Sequence, residues 1–203
     1  MLSDQARERV RGAIREAEAH SSLEFVTVLT RQSDGYYFIP TLWAALVALA
    51  LPAVLLVTPM WLEVRDVVLI QLAAFSALTA FFRLPFIMYR VIPRSILRHR
   101  ASNMAHRQFL EQGVHRTSDG YGVLFFVSEA EHFVQIIADS GIDRLVPQER
   151  WQAIVDDFSR HVRSGDTEAG FLEAVQAVGA VGAELVPEER PADELPNHLI
   201  VID

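Results

Sequence analysis

Hydrophobic positions along the chain change their period several times. Over residues 3–19, Ala6, Val10, Ala13, Ile14 and Ala17 recur at helical spacing, which predicts an amphipathic helix capped by Ser3. Glu24–Thr30 (EFVTVLT) is apolar and β-branched and predicts a strand. Then periodicity vanishes. Thr41–Leu62 is an uncharged run, and Val67–Tyr89 holds Arg83 as its one charge. A membrane-crossing helix needs about 20 apolar residues, longer than a core element of a small domain runs. Two transmembrane helices are predicted, joined by a turn within PMWLEVRD (Pro59–Asp66), where Glu63, Arg65 and Asp66 break the apolar stretch. Trp43 and Trp61 fall where interfacial aromatics are expected.

Beyond the apolar stretch the alternation resumes. Residues 93–113 suit a helix opening at Pro93 and closing at Gly113. Gly120–Ser128 and His132–Asp139 suit strands joined by a two-residue turn at Glu129-Ala130. Pro147 opens a helix with Trp151, Ile154, Val155, Phe158 and Val162 on one face, ended by Ser164-Gly165. Asp166 can cap a helix over 167–186, with Phe171, Val175, Val178 and Leu185 inward and Pro187 as its stop. In it, Gly179 and Gly182 either admit a close neighbour or simply weaken the helix. The tail has a short apolar end that could dock on the domain. This order predicts an α/β (α+β) sandwich, a small mixed sheet covered by helices and interrupted by a two-helix transmembrane hairpin. The expected segments are 1–38 and 91–186 as the two parts of one domain, 39–90 as the hairpin, and 187–203 as a tail.

Charge refines the picture. The net charge of −8 is unevenly spread: residues 83–110 hold Arg83, Arg90, Arg94, Arg98, Arg100 and Arg107 and no acid, whereas 111–203 is strongly acidic. The acidic distal half argues against nucleic acid, which needs a basic footprint. The arginine-rich exit flank, against a turn with Arg65 alone, places both termini in the cytoplasm and the chain in the inner membrane as a two-span protein. Arg90, Arg94 and Arg98 either enforce that topology alone or also touch anionic head groups. The apolar stretch begins too far along the chain for a signal peptide. Pro52, Gln71, Ser76 and Thr79 lie within the spans and none is ionisable, which favours an anchor over a pump or ion channel. Cysteine is absent, excluding disulfides and thiolate metal sites, and all 18 basic residues are arginine, as codon bias would produce.

Phosphate-loop, zinc-helix and nucleophile-elbow motifs are missing, so no catalytic residue is identifiable. His99 and His106 share one helix face, as solvated residues do. The expected hairpin register sets Asp139 beside Gly120, next to Asp119, with Asp143 able to join. Carboxylates on loops suit a hard divalent cation such as calcium or magnesium. They equally suit ordinary turn and strand-end duty. Arg116 and Arg144 are the nearest candidates for a phosphoryl clamp.

Leu23–Leu29 resembles the first strand of the TPM domain, a family seen in a thylakoid lumen acid phosphatase and in many bacterial membrane proteins. Ala105, Phe109, Gly113, Thr117 and Gly122-Val-Leu124 resemble its helix and strand opening. Ser128, Glu131, Ala138-Asp139 and Gly141-Ile142 resemble its hairpin, with Trp151, Ile154-Val155, Gly165 and Glu194-Leu-Pro-Asn197 following in order. The likeness is to the bacterial subgroup with a membrane hairpin inserted in the domain. It implies an α/β sandwich. Some members are metal-dependent or acid phosphatases, some bind calcium, and others act in assembly or repair of membrane complexes. It also implies a LemA-like membrane protein as a partner. Two functions are therefore expected to compete: a non-enzymatic binding or assembly module at the membrane surface, and a metal-dependent phosphatase using Asp119 and Asp139.

Overall fold

The computed structural model describes residues 3–57, 62–187, 195 and 199–202. In chain order its elements are α1 (Asp4–Glu18), β1 (Glu24–Thr30), α2 (Phe38–Leu56), α3 (Val64–Phe82), α4 (Pro85–Val91), α5 (Arg94–Glu111), β2 (Gly122–Ser128), β3 (Phe133–Ala138), α6 (Ser140–Asp143), α7 (Gln148–Ser164), α8 (Thr167–Leu185) and β4 (Leu199–Ile202). They divide into two compact units, Met1–Ser33 with Ala101–Asp203, and Asp34–Arg100.

The first unit is built on a four-stranded sheet of order β3-β2-β1-β4. β1 runs parallel to both β2 and β4, and β3 pairs antiparallel with β2. The central strands are buried on both faces, so they read as continuous apolar runs rather than alternating ones. Phe25, Leu29, Val123 and Phe125 face the layer of α1, α7 and α8, with Val10, Ile14, Phe158 and Phe171 among their neighbours. Val26, Val28, Leu124 and Phe126 face Met104 and Ala105 of α5. Phe125, Phe158 and Phe171 stack edge-on, with centroids 4.9–5.9 Å apart, the spacing at which ring quadrupoles attract.

Local chemistry explains the helix ends. The Ser3 hydroxyl accepts the Ala6 N–H at 3.2 Å, and Asp166 Oδ1 accepts the Ala169 N–H at 3.1 Å. α8 lies against α1 where side chains are smallest. A Cβ on Gly179 would meet the Ala17 Cβ at 2.7 Å, and one on Gly182 would meet the Ser21 hydroxyl at 2.6 Å. The expected close approach is therefore what these glycines serve.

Three expectations need correction in this unit, and one is sharpened. The hairpin loop is Glu129–His132 rather than a two-residue turn, so Ser128 pairs with Phe133 and not with Glu131. The apolar end of the tail docks as expected, in the form of a strand: β4 pairs parallel with Thr27–Thr30 of β1, whose edge is open there, and Ile200 and Ile202 supply β-branched cover. Val162 is exposed at the end of α7, where the helix runs past the sheet. The loop after β3 contains the single-turn helix α6.

The second unit contains α2, α3, α4 and the start of α5. α2 and α3 are long and apolar enough to cross a membrane by length and composition. No residue of α3 is buried against protein. The second apolar helix stops at Phe82, short of Tyr89, because Leu84 precedes Pro85 and is held extended (φ −61°, ψ 128°). α4 then starts afresh, with proline in its first turn, where a missing N–H costs nothing. Tyr36, Ile39, Met88, Ile92 and Leu97 form a small cluster of their own. Of the expected turn, Pro59–Trp61 lie outside the described residues. Arg65 and Asp66 belong to the first turn of α3 rather than to a loop.

Candidate functional site

Two polar clusters occupy opposite ends of the sheet, and the strand directions decide which residues reach each. The strand starts of β1 and β2 point one way, towards Asp119 and Asp139. Their ends point the other way, towards Ser33, Ser128 and Glu131.

At the first end, Asp119 is exposed in the turn before β2, and Asp139 caps α6, its Oδ1 accepting the Ser140 N–H at 2.6 Å. The Asp139 N–H donates to the Gly122 carbonyl at 2.8 Å, so the strand register sets Asp139 opposite Gly122. Asp139 nonetheless reaches Gly120, because the chain folds back over that glycine. A Cβ on Gly120 would lie 3.7 Å from Asp139 Oδ2, and Gly120 itself needs φ +72°. A Cβ on Gly141 would collide with the Asp119 carbonyl at 2.4 Å and the Gly120 carbonyl at 2.6 Å. Asp143, Arg116 and Arg144 are all exposed nearby in sequence. The donors gathered here are oxygens: one Asp139 oxygen beside two backbone carbonyls, of which that of Gly120 already accepts the Ile142 N–H at 3.1 Å. Among the described residues no three His, Cys, Asp or Glu side chains are grouped as a metal ion would need. The donors are thus the right kind for a hard cation but too few for the six to eight oxygens calcium takes, so water would have to complete the shell.

At the other end lies a buried cluster that reading the sequence for catalytic motifs missed. Glu131 is almost wholly buried, accepting from the Ser128 hydroxyl through Oε2 and from the Ser33 N–H at 2.9 Å through Oε1. The Ser33 hydroxyl donates to Ser128 Oγ at 3.0 Å. The Glu129 and Ala130 N–H groups donate to the Thr30 and Arg31 carbonyls at 3.0 Å. A buried carboxylate survives only with such donors. Together these bonds tie the exit of β1 to the β2–β3 loop, where the chain departs for α2. The signal was in the sequence as Ser128 and Glu131 in the hairpin, but their partner Ser33 lies far away along the chain.

His99 and His106 are both exposed, and His106 Nδ1 lies 2.8 Å from the Ser102 carbonyl. Of the other motif residues quoted, Glu194, Pro196 and Asn197 lie outside the described residues. The Leu195 N–H donates to Glu24 Oε2 at 3.2 Å.

Residues 89–181 match the family model of the TPM domain, a span from the end of α4 through most of α8. No curated protein matches the chain. Among solved structures, the NMR structure of BA42 protein from the psychrophilic bacterium Bizionia argentinensis sp. nov. is similar, with a TM-score of 0.62. The two are 16% identical over 99% of this chain and 95% of that one, a likeness that speaks for the fold alone.

Proposed function

Because this chain carries a TPM domain, we propose that it is an integral membrane protein whose domain works as a binding or assembly module at the membrane surface. One observation carries the reading. The apolar helices α2 and α3 are inserted between β1 and β2, two strands paired along their whole length. The domain is therefore attached at two points, after β1 and within α5, rather than through one terminus. Two attachments suit a module kept beside a membrane-bound partner. The arginine-rich segment after α3 supports a topology with both termini on the cytoplasmic side of the inner membrane. A LemA-like membrane protein is the partner that the family implies. In-cell cross-linking of the membrane fraction is the test. A specific partner captured by the full chain supports the module, and the absence of one sinks it. Because the chain has no cysteine, single cysteines placed at Ser3 and Glu63 and labelled from one side report the topology directly.

A second reading rests on the Gly120–Gly141 contact. A divalent cation such as calcium or magnesium would be held by the Asp139 carboxylate with the Asp119 and Gly120 carbonyls and water, and when bound it would polarise a phosphoryl oxygen. Asp139→Asn is the control. Metal at about 100 times its dissociation constant raises stability by about 2.7 kcal/mol. A melting shift with calcium, magnesium or manganese that Asp139→Asn abolishes supports a metal-dependent phosphatase; no shift with any of them removes it.

A further inference from the structure

We infer that Arg90, Arg94 and Arg98, with the aromatic residues beside them, form a collar that binds the phosphate groups of anionic phospholipids. The inference rests on α2 and α3 lying in a bilayer. All the residues concerned belong to the second unit.

The first observation is charge without a counter-charge. Arg83, Arg90, Arg94 and Arg98 are exposed, and among the described residues none has a carboxylate within ion-pair distance. Further along α5 the arginines behave differently: Arg100 pairs with Asp34 at 3.3 Å, and Arg107 with Glu111 at 3.6 Å. Within residues 83–107, those without a carboxylate in reach are the ones nearest the second apolar helix.

The second observation is where apolar side chains are exposed. Within α4, Met88 turns into the small cluster with Tyr36 and Ile92, whereas Phe86 is 77% exposed. Phe86 and Arg90 share the outward face, and the Arg90 guanidinium lies 5.2 Å from the Phe86 ring centroid. Arg83 likewise lies 5.8 Å from the ring centroid of Tyr37, which is exposed just before α2. Exposed aromatics beside cations at the end of an apolar helix match the level of lipid head groups, where amphipathic rings and guanidinium groups both find partners.

The third is chemistry. Guanidinium is always charged and presents a planar fork that matches phosphate oxygens. On α5, Arg94 and Arg98 stand one turn apart with Leu97 turned inward, so their stems leave the helix on the outer side. A phosphate at the head-group level would be met by several donors at once. A role in topology alone requires only the charges, not this pairing with exposed rings.

The test uses the full chain carrying Trp61→Phe, reconstituted in vesicles of brominated phosphatidylcholine and phosphatidylglycerol. Quenching of Trp43, which is partly exposed near the start of α2, reports which lipid surrounds the helices, while Trp151, buried in the core of the first unit, adds a constant unquenched background. We expect phosphatidylglycerol to be preferred by at least about fivefold, the worth of one cation at an anionic surface. Arg90→Gln/Arg94→Gln/Arg98→Gln should bring the preference close to one, and the matching triple Lys variant, which keeps the charge but loses the fork, should keep part of it. Equal quenching by both lipids in the parent, or an undiminished preference in the Gln variant, overturns the collar while leaving the membrane helices in place. A Lys variant as indifferent as the Gln variant overturns the charge argument. No quenching of Trp43 by either lipid overturns the membrane reading itself.

Discussion

The two units are both rich in apolar residues and use them in opposite ways. In the first unit, Phe125, Phe158 and Phe171 are sealed between the sheet and α7–α8, and their outward neighbours along the helices are charged. In the second, Leu69, Leu72 and Phe81 of α3 are exposed, and the helix keeps no buried residue at all. The same transfer free energy acts in both cases. In the sandwich it is collected by protein closing on protein. In α3 it is left uncollected by protein, on a helix long and apolar enough to cross a membrane.

The sharpest way to break this contrast is to truncate equivalent bulk in each unit. Phe125→Ala removes the ring at the centre of the aromatic triad and should cost about 3–5 kcal/mol in denaturant unfolding of the detergent-purified chain. Leu69→Ala in α3 should stay within about 0.5 kcal/mol by the same measurement. Equal losses would mean that α3 packs on protein after all. The reverse experiment places a charge in the hairpin. Ala73→Arg, exposed near the middle of α3, should disfavour membrane insertion by about 2.5–3.5 kcal/mol, read as the fraction resisting alkaline extraction. Full retention in the membrane would contradict a span there.

Smaller changes sharpen what holds the sandwich. Gly179→Ala forces a methyl into contact with Ala17, so the α1–α8 packing should loosen at a cost of about 1–3 kcal/mol in the same unfolding assay. An unchanged midpoint would show that α1 can shift away freely. The smallest effect is electrostatic. A hydrogen bond from Arg9 at 2.5 Å holds the Glu168 carboxyl below its ordinary value, and one from Arg150 does the same for Glu184. Carboxyls with lowered values stabilise the fold above their unfolded value, about pH 4.3, and lose that contribution as pH falls through the lower folded value. Arg9 and Glu184 are exposed and Glu168 and Arg150 are half-exposed, so solvent screens both pairs and the melting temperature should fall only slightly between pH 5 and pH 3 on their account. Arg9→Gln/Arg150→Gln should flatten that slope, and high salt should mask it.

Periodicity and local chemistry were enough for several conclusions. The caps at Ser3 and Asp166, the strand over Glu24–Thr30, the apolar character of α2 and α3 and the mixed sheet under helices all depend on neighbours within a few residues, so they were legible in the chain. Only tertiary structure decided the rest. Loop length after β2 depends on how Glu131 is satisfied, and its donors come from Ser128 and from Ser33 at the end of another strand. A local reading therefore chose too short a turn and shifted the register by one pair, although the two-residue shift kept every side chain on its face. Asp139 reaches Gly120 through a fold-back at Gly141, whose tight backbone contact no pattern of hydrophobic positions encodes. The tail became β4 because β1 offered an unpaired edge, and an edge exists only once the sheet has formed.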